Sequence, residues 1–144
     1  MLVIGSDVSA RDQHQSLIEA ASQARERAVA PFSHFRVGAA LETADGRIFA
    51  GCNVESAAYG LTVCAERVAV WKALSEGARG IKRLAVFADA EPLTPPCGAC
   101  RQIIWEFGGN AMIVLANLRG TVETYEMQEL YPRAFDAQYL TGNK

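Results

Sequence analysis

The sequence predicts an α/β protein with three layers, α/β/α, in which helices cover both faces of a mixed sheet of about five strands. Its 144 residues suffice for one hydrophobic core and not for two, so we expect a single domain over residues 1–144. Helical patterns alternate with short strand patterns along the chain, which is typical of this architecture. The apolar runs at 84–88 and 112–116 show no alternation, as expected of strands covered on both faces.

The first third of the chain predicts a helix followed by a β-hairpin. Apolar residues recur at helical spacing over 9–30, and Pro31 ends that run. Apolar residues then alternate along 35–41, as in a strand. The Asp-Gly pair within 44–47 supplies the positive-φ residues that a tight turn needs, so residues 48–54 return as an antiparallel partner.

The rest of the chain alternates between helices and strands. Glycines end two of these helices, at Gly77 and at the Gly108-Gly109 pair. In chain order the predicted elements are helix 63–76, strand 84–88, helix 98–107, strand 112–116, edge strand 121–125 and short helix 127–130. This order completes a mixed sheet with helices on both faces.

Charge and hydropathy exclude several classes of partner. The formal net charge is −2 and no basic stripe is present, so we expect neither nucleic acid nor a membrane surface as a partner. The longest apolar runs fall far below the ~18 residues of a membrane-spanning helix. The apolar residues 1–4 are too few for a signal-peptide core, so we expect a soluble, cytoplasmic protein with reduced thiols.

Three of the four cysteines fall at predicted helix starts. Cys64 begins the second helix, and Cys97 and Cys100 begin the third. Helix N-termini stabilise thiolates, and three converging thiolates are a suitable ligand set for zinc. Three protein ligands leave one position of a tetrahedral zinc open, which is typical of a catalytic site. Water at that position has a pKa lowered from 15.7 to about 7.

Two charged residues accompany the first of these cysteines. Glu66 lies two residues after Cys64, where a carboxylate can take a proton from the water and return it later. Three thiolates on Zn²⁺ leave a net charge of about −1, which weakens the acidity of the site. We expect Arg67, next in the sequence, to tune the site electrostatically by offsetting that charge.

Spacing alone leaves other interpretations of the cysteines open. A single C-x-x-C pair also occurs in redox sites and in structural zinc ribbons, although a ribbon normally carries two such pairs. Cys52 could supply a fourth ligand and close the site. Against this, strand alternation places Cys52 and Asn53 on opposite faces.

Four blocks, in order, carry a resemblance to a known family. They are FRVGAAL at 35–41, GCNVE at 51–55, CAER at 64–67 and PCGACRQ at 96–102. Together they resemble the small homotetrameric cytidine deaminases, within the zinc-dependent nucleoside and nucleobase deaminases. The resemblance implies a cytidine deaminase-like fold with one Zn²⁺ per subunit. It also implies a homotetramer with sites shared between subunits.

The implied activity is hydrolytic deamination of a small-molecule nucleoside. Cytidine and 2′-deoxycytidine would yield uridine and 2′-deoxyuridine with release of ammonia, as in pyrimidine salvage. The resemblance makes Cys64, Cys97 and Cys100 the zinc ligands. It makes Glu66 the proton shuttle for attack of a zinc-activated hydroxide at C4 of the base.

The resemblance also implies a set of substrate-binding residues. Within one subunit, the side chains of Asn53 and Glu55 match groups that bind the ribose 3′-hydroxyl and the base. Phe35 matches an aromatic residue that packs beside the pyrimidine, and the Ala65 N–H matches a donor to O2 of the base. Toward a neighbouring subunit, Ala58 and Tyr59 match residues near the ribose 5′-hydroxyl, and Phe135 matches an aromatic residue that covers the pyrimidine.

The sequence departs from the family pattern at several positions. Phe32 stands where Tyr is usual, and Ser56 stands where Asn is usual. Asp136-Ala137 replaces the Gly-Pro that usually follows Phe135, which leaves the path of the C-terminal residues open. Two alternatives accompany the main hypothesis, and the altered C-terminal residues motivate the first of them. One is a deaminase of another cytosine-containing small molecule, and the other is a zinc-stabilised binding module without activity.

Overall fold

A five-stranded mixed sheet forms the middle layer of the computed structural model, which describes residues 8–142. The strands are β1 (Val37–Thr43), β2 (Ile48–Cys52), β3 (Ile81–Ala88), β4 (Met112–Ala116) and β5 (Val122–Glu126). Their order in the sheet is β2-β1-β3-β4-β5. Strands β3 and β4 are parallel, and the other neighbours are antiparallel. The predicted mixed sheet is confirmed.

Helices pack on both faces of this sheet, which confirms the three-layer architecture. They are α1 (Val8–Gln13), α2 (Gln15–Arg25), α3 (Ala65–Ser75), α4 (Gly98–Gly108), α5 (Met127–Leu130) and α6 (Gln138–Thr141), with a 3₁₀ turn at Tyr59–Leu61. Alternate residues of the central strands face two separate cores. Ala40 and Ala85 pack with α1 and α2, whereas Leu41 and Leu84 pack with α3, α4 and α5.

The prediction of one helix over 9–30 is wrong in two places. His14 interrupts it with φ −114° and ψ 14°. The side chain of His14 is 3% exposed, and its Nδ1 accepts a hydrogen bond of 2.6 Å from Nη1 of Arg83 in β3. At the other end α2 stops at Arg25, because Val29 pairs with Val54 in an isolated β-bridge. Both partners, Arg83 and Val54, are distant in sequence from the predicted helix.

Two glycines let helices approach the hairpin closely. A Cβ on Gly38 would lie 1.9 Å from the carbonyl oxygen of Ala21 in α2. A Cβ on Gly51 would lie 2.7 Å from the backbone nitrogen of Ala69 in α3. Real Cβ atoms never approach that closely, so only glycine permits this packing. The second contact fixes α3, and therefore its N-terminus, against the end of β2.

Candidate metal centre and active site

The three predicted cysteines converge at the N-termini of two helices on the same face of the sheet. Cys64 and Cys97 are the extended N-cap residues of α3 and α4, and Cys100 lies in the first turn of α4. Their three Sγ atoms lie within 4.8 Å of one another, and those of Cys64 and Cys97 are 3.6 Å apart. The predicted cluster is confirmed.

The spacing of these sulfurs fits a zinc ion. Tetrahedral Zn²⁺ with Zn–S bonds of about 2.3 Å places its sulfurs about 3.8 Å apart. Within residues 8–142 no fourth Cys, His, Asp or Glu joins the cluster, and Cys52 lies outside it. The alternative of a site closed by Cys52 is therefore wrong. Cys97 is exposed and Cys100 is buried, so the cluster reaches from the core to solvent.

Positive charge lies beside the cluster. Nη2 of Arg67 donates a hydrogen bond of 3.5 Å to Sγ of Cys64. A hydrogen bond from the Cys100 thiol, together with the Arg67 guanidinium, lowers the pKa of Cys64 to about 5. The hydrogen bond to Cys64 in turn raises the pKa of Arg67, which stays charged. Cys64 is therefore a thiolate at neutral pH, which is the form that binds a metal.

The predicted proton shuttle is buried beside the cluster. Glu66 lies in the first turn of α3 and is 4% exposed. This burial raises its pKa to about 7, because a carboxylate loses solvation there. A carboxyl group of that pKa can both take up and release a proton near neutral pH.

A cavity of about 270 Å³ opens over these residues. Small-molecule sites typically span about 300–1,000 Å³, so this cavity lies just below that range and suits a ligand at its small end. Its wall includes seven of the residues predicted for the site: Phe35, Asn53, Glu55, Cys64, Ala65, Glu66 and Cys97. The sequence analysis missed six further wall residues: Ser33, Val37, Thr62, Val63, Thr94 and Pro95. Their nearness in sequence to predicted site residues is the signal that could have found them.

Two predicted substrate-binding side chains hold the loop before β1. Oδ1 of Asn53 accepts from the Val37 N–H at 2.9 Å, and its Nδ2 donates to the Phe35 carbonyl at 2.8 Å. Glu55 accepts from the backbone N–H groups of Phe32 and Ser33 at 2.9 and 3.1 Å. The Ser33 hydroxyl donates to the other oxygen of Glu55. These bonds fix Phe35 at the cavity wall.

Three of the predicted substrate-binding residues do not line this cavity. Ala58 and Tyr59 lie at the exposed 3₁₀ turn, where the Tyr59 ring meets that of Phe32 edge-on at 5.8 Å. Phe135 is 54% exposed and stacks on Tyr139. Their roles toward a neighbouring subunit stay predictions.

The fold and the cluster define a class. Three cysteine sulfurs at paired helix N-termini, with an adjacent carboxyl group that is not a ligand, are the arrangement of the zinc-dependent deaminases. A family model described as "Cytidine and deoxycytidylate deaminase zinc-binding region" matches residues 11–116. The chain belongs to the cytidine deaminase family, and its three clustered cysteines lie within the matched zinc-binding region and form a group that could hold a metal ion.

Named relatives agree with this assignment. A cytidine deaminase of Sporosarcina psychrophila is 48% identical over 128 residues, which cover 88% of this chain and 94% of the relative. A cytidine deaminase of Halalkalibacterium halodurans is 49% identical over 125 residues, which cover 86% of this chain and 95% of the relative. The crystal structure of a Burkholderia pseudomallei cytidine deaminase superposes with a TM-score of 0.82 at 49% identity. That match covers 85% of this chain and 98% of the other.

Among the described residues, every helix is too short or too polar to cross a bilayer.

Proposed function

We propose that the protein hydrolyses cytidine and 2′-deoxycytidine to uridine and 2′-deoxyuridine with release of ammonia. The observation that carries the proposal is the burial of Glu66 in the wall of a cavity that also contains Cys64 and Cys97. A zinc site that only stabilises a fold has no use for a buried acid–base group. The names of the relatives, at 48–49% identity, support the same reaction.

In the proposed mechanism Glu66 moves the protons. When bound, zinc supplies the Lewis acidity that makes a water molecule nucleophilic near neutral pH. Glu66 accepts a proton from the attacking water and delivers it to N3 of the cytosine ring, which makes C4 electrophilic. Glu66 then passes the second proton to the 4-amino group. The C4–N bond breaks, ammonia leaves, and the water oxygen becomes the carbonyl oxygen of uridine.

The other wall residues bind and orient the nucleoside. The Ala65 N–H, at the start of α3, donates to O2 of the base. Phe35 packs beside the pyrimidine, and the side chains of Asn53 and Glu55 recognise the ribose 3′-hydroxyl and the base. Asn53 retains one amide hydrogen beyond its bond to Phe35, and the Glu55 carboxylate retains acceptor capacity beyond its loop contacts. Arg67 balances the charge of the thiolates.

We propose a cytoplasmic homotetramer in which neighbouring subunits complete each site. An apolar surface supports the assembly, since Phe32, Tyr59, Leu61 and Trp71 are between 45% and 74% exposed. Ala58, Tyr59 and Phe135 then contact the nucleoside bound by a neighbour, at its 5′-hydroxyl region and its pyrimidine. The whole chain, residues 1–144, acts as one domain, and its activity serves pyrimidine salvage.

A substrate comparison tests the proposal. Zinc-loaded protein is incubated with cytidine, 2′-deoxycytidine, an N4-substituted cytidine and a cytosine nucleoside antibiotic. Ammonia is measured enzymatically and the pyrimidine product is identified by chromatography. We expect equal amounts of ammonia and uridine from cytidine. Faster formation of the pyrimidine product from the N4-substituted cytidine, which releases an amine in place of ammonia, or from the antibiotic would identify that compound as the preferred substrate in place of cytidine. No deaminated pyrimidine product from any of the four compounds would favour a binding module.

A further inference from the structure

The residues that follow α5 run along α4 and are bonded to it by side chains. We call residues 131–142 the C-terminal tail. Gln102 makes two of the contacts: its Oε1 accepts from the Tyr131 hydroxyl at 2.5 Å, and its Nε2 donates to the Phe135 carbonyl at 2.9 Å. One turn further along α4, Nε1 of Trp105 donates to Oδ2 of Asp136 at 2.9 Å.

Asp136 also organises the tail itself. Its Oδ1 accepts from the backbone N–H of Gln138, the first residue of α6, at 3.0 Å. The hydrogen bond from Trp105 holds the pKa of Asp136 below its usual value, so the group is ionised at neutral pH. A glycine at this position, the residue usual in the family that the chain resembles, has no side chain and could make neither bond. Asp136, which departs from the family pattern, therefore stabilises the C-terminal tail through these two bonds.

These bonds fix the backbone on both sides of the Phe135 side chain. Gln102 holds the carbonyl of Phe135, and Trp105 holds the next residue. The ring itself stays free of these contacts and is 54% exposed. It stacks on Tyr139 with a centroid distance of 5.6 Å and an interplanar angle of 14°. The tail thus presents a pair of nearly parallel rings to solvent.

The anchoring helix also carries two metal ligands. Cys97 and Cys100 lie at the N-terminus of α4, and Trp105 is five residues beyond Cys100, about 7.5 Å along the axis. An α-helix is rigid over that distance. The orientation of the exposed ring is therefore set by the same element that positions the metal centre.

We propose that Trp105 and Asp136 are positioning residues that hold Phe135 against the nucleoside. This inference rests on the proposed function, in which Phe135 covers a pyrimidine bound by a neighbouring subunit. Trp105 and Asp136 themselves touch neither substrate nor metal. Their loss lets the tail move, which weakens nucleoside binding and leaves the chemistry at the metal centre intact.

Steady-state kinetics with cytidine test the role in binding. We compare Asp136→Ala and Trp105→Phe, which each remove one partner of the bond, with Asp136→Asn, which keeps an acceptor oxygen. Asp12→Ala is the matched control, because the Asp12 side chain is exposed on α1 and does not line the cavity. For Asp136→Ala and Trp105→Phe we expect KM to rise about tenfold and kcat to change less than about twofold. Asp136→Asn and Asp12→Ala should resemble wild type.

Hydrogen–deuterium exchange on the same full-length, zinc-loaded proteins gives a readout independent of activity. Peptides from the C-terminal tail should exchange faster in Asp136→Ala and Trp105→Phe, and at the wild-type rate in the other two variants. Unchanged exchange, or faster exchange with an unchanged KM, overturns the inference. Loss of kcat with an unchanged KM also overturns it. If wild-type protein deaminates no cytidine, the proposed function is refuted instead, and the Trp105–Asp136 hydrogen bond then has no role in nucleoside binding.

Discussion

Replacing Asn53 with alanine should loosen the loop that carries Phe35. The Asn53 amide is 9% exposed and bonds the Val37 N–H and the Phe35 carbonyl. Each of these hydrogen bonds contributes about 1 kcal/mol, and a buried group left unpaired costs about 1–3 kcal/mol more. Val37 is buried, whereas Phe35 is 40% exposed at the cavity wall. We therefore expect unfolding free energy to fall by about 2–4 kcal/mol.

Thermal unfolding measures this loss. A domain of this size loses about 2–4 °C of Tm per kcal/mol, which gives a decrease of about 5–15 °C for Asn53→Ala. Zinc-loaded proteins are compared at one fixed protomer concentration, since assembly and metal both raise Tm. Asn110→Ala is the control, because it removes one exposed acceptor, which bonds the Gln128 N–H at 2.8 Å. A Tm for Asn53→Ala within about 1 °C of this control would refute the reasoning.

Three further perturbations have defined outcomes. Cys97→Ala should lose zinc by elemental analysis, because two thiolates remain, and full metal occupancy would indicate another ligand set. Ser33→Ala should raise KM for cytidine about 2–10-fold with kcat retained, because the hydroxyl that orients Glu55 is lost. The control is Ser75→Ala, which removes an exposed hydroxyl, and equal KM values for the two variants would contradict the prediction. Burial and the charge of Arg83 lower the pKa of His14 below 6.5, so urea unfolding should show stability decreasing as pH falls below about 6.5. In His14→Gln the free energy of unfolding should depend less on pH in this range, and a pH dependence equal to that of wild type would contradict the prediction.

Local patterns predicted the elements whose ends are marked in the sequence. The predicted bounds of β4 and α5 match the structure, because a continuous apolar run and a short helical segment follow clear turn residues. The helix over 9–30 failed because its apolar periodicity continues through His14 and beyond Arg25. The break and the end depend on Arg83 and on Val54, which are distant in sequence. Propensity within a short window carries no information about such partners.

The candidate site, like the fold, could be predicted where local sequence determines it and not where contacts between distant residues do. Helix starts and cysteine spacing predicted the metal cluster, since both cysteine groups lie at helix N-termini that follow loops. The contacts of Asn53 and Glu55 could not be predicted, because their partners are backbone groups and one hydroxyl of residues 32–37, which lie 16 to 23 residues earlier. The sequence marks Asp136 only as a departure from the family pattern. Its contact with Trp105 depends on how the C-terminal tail folds back along α4.

The central claim is that Glu66 carries protons beside a zinc ion held by three cysteines. The most direct test measures zinc content and cytidine turnover on one sample of Glu66→Gln and one of wild type. We predict one zinc per chain in both proteins and a kcat lower by about 10²–10⁴-fold in Glu66→Gln, the factor that a positioned acid–base group typically contributes. Wild-type turnover by a Glu66→Gln protein with full zinc occupancy would contradict the claim.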